Sequence, residues 1–193
     1  MAGTLSVQKI QGLASSATPT TVEIASGHVL QAPGHVLQTL QTVKTDTFST
    51  TSTSFVSVSG LSVAITPSSS SNKILIKGSI ALSSTHYVWH CGLFQDGTEI
   101  GLADAASNRP RSLFGGMGDD TVQETHGQVT YVTRELLVSP NTTSAITYNI
   151  RAARRFDSEA SAVTYINRSH PDRNTSTYDQ RCISTLTVME IAG

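Results

Sequence analysis

Between positions 74 and 82, Ile74, Ile76, Ile80 and Leu82 all stand at even positions, while Lys77 and Ser79 fall between them. An apolar residue at every second position is the period of a pleated strand, and a helix cannot gather such a set on one face. The same signal recurs at residues 37–43, 55–58, 61–65, 87–95, 99–102, 128–138, 145–153 and 182–191, with Gly60 separating the second run from the third. Asp96-Gly97 suits the positive φ angles of a tight hairpin turn, so residues 99–102 are expected to return antiparallel to 87–95. Ser139-Pro140-Asn141-Thr142 is expected to close a second hairpin, between 128–138 and 145–153. Thr66-Pro67-Ser68-Ser69-Ser70-Ser71-Asn72 reads as a loop, and residues 104–126 as a long polar excursion. Composition agrees: only 14% of residues are charged, and Ser with Thr make up about a quarter of the chain. Thr favours extended backbone and Ser favours turns. The expected fold is all-β, a jelly-roll-like antiparallel β-sandwich.

The first 38 residues differ from the rest. Leu5 and Val7 alternate, Ile10 follows, and Val22 with Ile24 resume the pattern after Ser15-Ser16-Ala17-Thr18-Pro19. A short duplication, Gly27-His28-Val29-Leu30-Gln31 and Gly34-His35-Val36-Leu37-Gln38, closes the segment. So few apolar residues cannot bury a core alone. The expected organisation is an extended N-terminal anchoring and oligomerisation arm at 1–38, followed by a sandwich body at 39–193. The closing strand is apolar on both faces, with Ile183, Met189 and Ile191 on one and Leu186 and Val188 on the other. Such a strand is either central in the sandwich or pressed against a neighbouring chain. Leu5, Val7, Ile10, Val22, Ile24, Val188 and Met189 are therefore the candidate subunit interface, and a homotrimer is the expected state.

The formal charge is −1, all four lysines precede residue 78, and all nine arginines follow residue 108. Twelve acids fall among residues 96–193, so the arginine-bearing half is itself net negative and no nucleic-acid partner is expected. No run approaches the ~20 apolar residues of a membrane-spanning helix. The opening Met1-Ala2-Gly3-Thr4-Leu5-Ser6 lacks the basic and apolar regions of a signal peptide, which leads to an expectation of synthesis in a cytoplasm. Cys91 and Cys182 are read as reduced thiols acting as small apolar residues, with a disulfide as the alternative. His86 and His90 would lie on the same face of an extended segment, about 13 Å apart, too far to share a metal. Asp104, Asp119 and Asp120 lack the ligand spacing of a calcium loop. No catalytic set can be named, so neither enzyme activity nor a cofactor is expected.

Several phrases taken together carry a resemblance. They are Gly27-His28-Val29-Leu30-Gln31, the run from Leu61-Ser62-Val63-Ala64-Ile65 through Asn72-Lys73-Ile74-Leu75-Ile76, Asp96-Gly97-Thr98-Glu99-Ile100-Gly101 with Asp104-Ala105-Ala106, and Thr185-Leu186-Thr187-Val188-Met189-Glu190-Ile191. In these the chain resembles marine bacteriophage virion structural proteins of the tail-fibre or appendage type, over most of residues 27–192. The resemblance implies a homotrimeric appendage in the virion, anchored to other virion proteins of tail or capsid through its N-terminus. A capsid decoration (cement) protein is the alternative within the same class. A free carbohydrate-binding lectin and a polysaccharide-degrading enzyme are the alternatives outside it, the enzyme lacking a recognisable carboxylate pair. Trp89 and the tyrosines are potential sugar platforms, although most occupy strand positions where core packing is simpler. Loops on a rigid sandwich are where binding usually resides, so a host-glycan surface is expected at Tyr165, Arg168, Arg173 and Tyr178.

Overall fold

The computed structural model describes residues 32–86, 88–117, 128–154, 161–174, 177 and 179–193. Leu5, Val7, Ile10, Val22, Ile24, Asp119, Asp120 and Tyr178 lie outside them. Among the described residues there is no helix. The strands are β1 (Val36–Lys44), β2 (Phe48–Thr50), β3 (Val56–Ile65), β4 (Lys73–Ser84), β5 (Val88–Gln95), β6 (Thr98–Ile100), β7 (Gly116–Met117), β8 (Thr130–Val138), β9 (Ile146–Ala153), β10 (Thr164–Ile166) and β11 (Ser184–Ile191). Residues 32–38 belong to the compact unit Ala32–Gly193, because β1 pairs with β11 and Gly34 N–H donates to the Ala192 carbonyl at 2.8 Å. The body thus starts earlier than the expected boundary at residue 39.

Setting aside β2, β7 and β10, the strands form two sheets, β1-β11-β4-β8 and β3-β9-β5-β6. The pairing is nested along the chain: β1 with β11, β3 with β9, β4 with β8, and β5 with β6, all antiparallel. This is the jelly-roll arrangement, a long antiparallel ribbon rolled into two facing sheets. The expected Asp96-Gly97 hairpin is present, with Asp96 at φ 47° and Gly97 at φ 89° between β5 and β6. The expected second hairpin is not. β8 joins β4 in one sheet and β9 joins β3 and β5 in the other, so residues 139–145 cross between sheets. Each strand buries one side, and two alternating strands separated by a turn read alike whether they pair or face each other.

The core lies between the sheets. Ile74, Ile76, Ile80 and Leu82 of β4, Leu186 and Val188 of β11, and Val132 of β8 face Leu61, Val63 and Ile65 of β3, Leu93 of β5, and Ile146, Tyr148 and Ile150 of β9. Residues 55–65, read as two strands, form one strand with an irregularity at Gly60 (φ 82°). There, five residue steps along β3 match two along β9, from Ser57↔Arg151 to Ser62↔Asn149. An odd shift reverses which parity points inward, so Val58 and Leu61 are both buried.

Two features of the core are not periodic. The polar excursion carries Phe114 back into the sandwich, fully buried, where its ring occupies the space over Gly78 of β4. A Cβ on Gly78 would lie 2.7 Å from Phe114 Cζ. At the far end of β11, the buried Glu190 carboxylate accepts four hydrogen bonds. Oε1 takes them from Ser68 N (2.6 Å), Ser68 Oγ (2.8 Å) and Asn72 Nδ2 (2.6 Å), and Oε2 from Gln38 Nε2 (2.6 Å). Burial raises its proton affinity, but the donors from Asn72, Gln38 and Ser68 outweigh burial and hold the carboxyl below its ordinary value. The Ser-rich loop between β3 and β4 is thereby latched to β1 and β11.

Phe114→Ala is expected to cost about 3–5 kcal/mol, and Gly78→Val to destabilise by forcing Phe114 out of its seat; urea melts followed by circular dichroism would check both. The lowered Glu190 pKa stabilises the fold fully above the unfolded-state value of ~4.3, and this contribution is lost as pH falls through the lower folded value. Glu190→Gln is expected to lower stability at neutral pH by about 1–3 kcal/mol and to flatten the acid limb of a stability–pH profile.

Candidate functional site

The outer face of the β1-β11-β4-β8 sheet carries several incompletely covered apolar side chains. Its composition follows from the register. Odd-numbered residues of β4 point outward because the even-numbered ones fill the core, and β4 pairs with β8 without a break from Ile74 to Leu82. Rows of side chains therefore cross the sheet: Thr39, Met189, Leu75 and Leu137 in one; Gln41, Thr187, Lys77 and Glu135 in the next; Val43, Thr185, Ser79 and Thr133 in a third. Gln41 Nε2 donates to Thr187 Oγ1 at 2.7 Å, and Thr133 Oγ1 to Ser79 Oγ at 3.1 Å, which fixes the polar rows. The apolar members are poorly covered: Leu137 is 52% exposed, Val43 47%, and Tyr131, beside Ala81 in the next row, 54%.

This register separates the two closing-strand candidates. Val188 is completely buried between the sheets, paired with Leu40 and Ile76, so it belongs to the core and not to a subunit interface. Met189 points the other way, half-buried on the outer face between Thr39 and Leu75. The two-sided apolar pattern arose because one side serves the core and the other the outer sheet.

The same face continues to the expected recognition residues. Tyr165 of β10 sits opposite Ser83 and Ser49, which places it on the outward side of β4 at the opposite end from Met189. The Arg168 guanidinium lies 4.4 Å from the Tyr165 ring centre, and the His170 ring lies 5.9 Å away on a tilt. Asn167 positions this group. It is fully buried in the left-handed conformation at φ 64°, which Asn tolerates better than most residues. Its Nδ2 donates to the carbonyls of Lys44 (2.8 Å) and Asp46 (2.9 Å), and its Oδ1 accepts from Ser184 Oγ (2.6 Å), tying the loop to β1 and β11.

The charged members of the loop are spent on one another. Asp172 pairs with Arg168 Nη1 (3.3 Å) and Arg181 Nη2 (2.9 Å). Asp179, with a nearly inaccessible side chain, takes Arg173 Nε and Arg173 N–H at 2.7 Å and Ser169 Oγ at 2.9 Å. The Arg173 guanidinium and these hydrogen bonds outweigh burial and bring the Asp179 carboxyl down to about 2. Tyr165 and Arg168 are thus brought together, while Arg173 is committed to Asp179 as a latch. None of these partners is periodic, so spacing did not reveal them. The surplus of Asp172 and Asp179 among the late arginines is the only signal the sequence held.

The chemistry elsewhere is spare. His86 lies in the turn after β4 and not in the strand of His90, which removes the expected shared face. Cys91 is buried in the β3-β9-β5-β6 sheet and Cys182 half-buried just before β11, both free thiols, and burial pushes the Cys91 thiol up. Among the described residues no group of three or more His, Cys, Asp or Glu is placed to hold a metal ion, and no helix is long and apolar enough to cross a membrane. A cavity of about 350 Å³ opens beside the start of β5, lined by Val88, Trp89, His90, Pro110, Ser112, Gly115 and Gly116.

The jelly roll defines the class of the protein, a β-sandwich with an exposed sheet face. No family model matches the sequence, and no curated protein matches it. Among the solved structures that match is a chain of the infectious bursal disease virus Gx strain, 11% identical with a TM-score of 0.37, over 89% of this chain and 46% of that one. The chain spans about half the length of that match.

Because Asp179 stays ionised to about pH 2, the loop latch is expected to hold through mild acid and to release only as pH falls toward that value. Asp179→Ala is expected to raise amide exchange and protease cleavage across residues 168–181 at neutral pH, with the strands unchanged by circular dichroism.

Proposed function

We propose that the chain is a structural subunit of a bacteriophage virion, assembled as a trimeric fibre or knob that is anchored through its N-terminal segment and presents the sandwich outward to the host surface. The observation that carries this reading is the outer sheet face, where Leu137 stands about half exposed in the row of Met189 and Leu75, with Val43 and Tyr131 about half exposed further along the same face, surface that a neighbouring subunit can bury. The resemblance to marine phage appendage proteins supplies the class of assembly, and the jelly roll supplies a rigid body suited to it. Gly34 and β1 are hydrogen-bonded within the unit Ala32–Gly193, so residues 1–31 are the segment assigned to anchoring.

The expected solution mass by light scattering is about three times the 20.5 kDa chain. A monomer that persists at all concentrations would contradict the reading. Val188→Asp places an unpaired charge in the core and is expected to abolish folding. Met189→Asp places it on the outer face and is expected to leave a β-rich spectrum while dissociating the assembly, as read by gel filtration. A Met189→Asp variant that remains trimeric would move the interface off this face.

A further inference from the structure

We propose that Glu99 is an acid-operated catch for the edge strand β6: protonated, its carboxyl seats on the bare Cα of Gly92 in β5, and ionised, it leaves that seat for water. β6 is three residues long and ends the β3-β9-β5-β6 sheet, held to β5 by the pairs Leu93↔Ile100, Phe94↔Glu99 and Gln95↔Thr98. A short edge strand is among the parts of a fold that open locally at low cost, so one side chain can decide how long it stays closed.

The seat is made by a glycine. Gly92 is buried, and a Cβ there would stand 2.5 Å from Glu99 Oε1, 3.1 Å from its Cδ and 3.0 Å from Phe94 Cε2. The register brings the carboxyl to this point. Glu99 lies directly across from Phe94, so Gly92, two residues away in β5, is its diagonal neighbour on the same face. The head of Glu99 thus folds back from β6 over β5 and fills the dimple beside the Phe94 ring.

What the seat lacks is a donor. Oε1 is enclosed and accepts no hydrogen bond among the described residues. A negative charge held there is uncompensated, whereas a protonated carboxyl loses little. Glu190 is the contrasting case, with four donors on its carboxylate where this oxygen has none. Burial pushes the Glu99 carboxyl above its ordinary value, and the nearby Arg111 charge offsets part of that effect. Three other ionisable groups lie on the elements around the seat. His90 of β5 is stacked against Phe55 with ring centres 4.6 Å apart, and Asp96 in the turn accepts from Thr147 N–H at 2.8 Å. Arg151 of β9 lies over the Phe94 ring, 4.3 Å from its centre, and forms no ion pair with Glu99 among the described residues.

Because the seated form holds the proton, the contribution of the catch is complete below the unfolded-state value of ~4.3 and is lost as pH rises through the higher folded value. This sign is opposite to that of Glu190. The inference concerns the body alone and does not depend on the proposed function. Side-chain carboxyl NMR on the full chain, with the Glu99 signal assigned by its loss in Glu99→Gln, is expected to give a titration midpoint above ~4.3. Amide-exchange protection across Thr98–Ile100, corrected for the intrinsic rate, is expected to fall on the order of tenfold as pH rises through that midpoint. Glu99→Gln, a neutral head of the same shape, is expected to keep the high protection on both sides of it. Gly92→Ala is expected to return the Glu99 midpoint to its ordinary value, and the Gln variant decides the matter even if Gly92→Ala does not fold. A Glu99 midpoint at or below ~4.3, or protection with the same pH dependence in the wild type and in Glu99→Gln, would overturn the proposal.

Discussion

Strand β4 is the constraint on which the rest of the molecule depends. It is hydrogen-bonded to β8 along one edge, and to β11 and β10 in succession along the other. Its even-numbered residues Ile74, Ile76, Ile80 and Leu82 are completely buried, each worth roughly 1.5–3 kcal/mol relative to exposure. Its odd-numbered residues set the composition of the outer face. A one-residue slip of β4 would bring Lys73 and Lys77 into the core and turn the isoleucines outward, so the register of one sheet follows from this alternation.

Polar residues close what the alternation leaves open. Asn167 joins the ends of β1, β4 and β11 through both side chain and backbone, with its N–H donating to Ala81 O at 3.0 Å and its carbonyl accepting from Cys182 N–H at 3.1 Å. Glu190 does the same at the opposite end for the loop between β3 and β4. Both are buried polar groups with several partners each, so losing one partner strands the others. The surface that remains, the outer face of the β1-β11-β4-β8 sheet, has polar rows fixed by hydrogen bonds and an apolar row with incomplete cover.

The sequence showed the long strands well because they are half-buried and period-two reports half-burial. β4, the Asp96-Gly97 turn and the apolar faces of the closing strand were all visible in this way. Partnership was less visible. β8 and β9 look like a hairpin because alternation says which side is buried and not which sheet a strand joins. β2 and β10 are too short for a period to register, and β3 hid its irregularity because Gly60 looks like a break between two strands. Phe114 stands alone in a polar stretch, where nothing distinguishes a core plug from an exposed side chain. Lys44, fully buried with its Nζ 2.8 Å from Asp46, likewise carries no local mark of burial. Of the recognition residues expected on late loops, Tyr165 stands in strand β10 with the Arg168 guanidinium over its ring, whereas Arg173 has its charge taken up by Asp179. Val188 and Met189 were grouped as an interface before register could show that only Met189 faces outward.

The most direct measurement is an experimental structure of the protein in its assembled state, by single-particle imaging of the intact particle or of the purified oligomer. The expected result is a threefold arrangement in which neighbouring subunits cover Met189, Leu75 and Leu137. An assembly in which the outer face of the β1-β11-β4-β8 sheet stays open to solvent, with contacts made elsewhere on the body, would contradict the central claim.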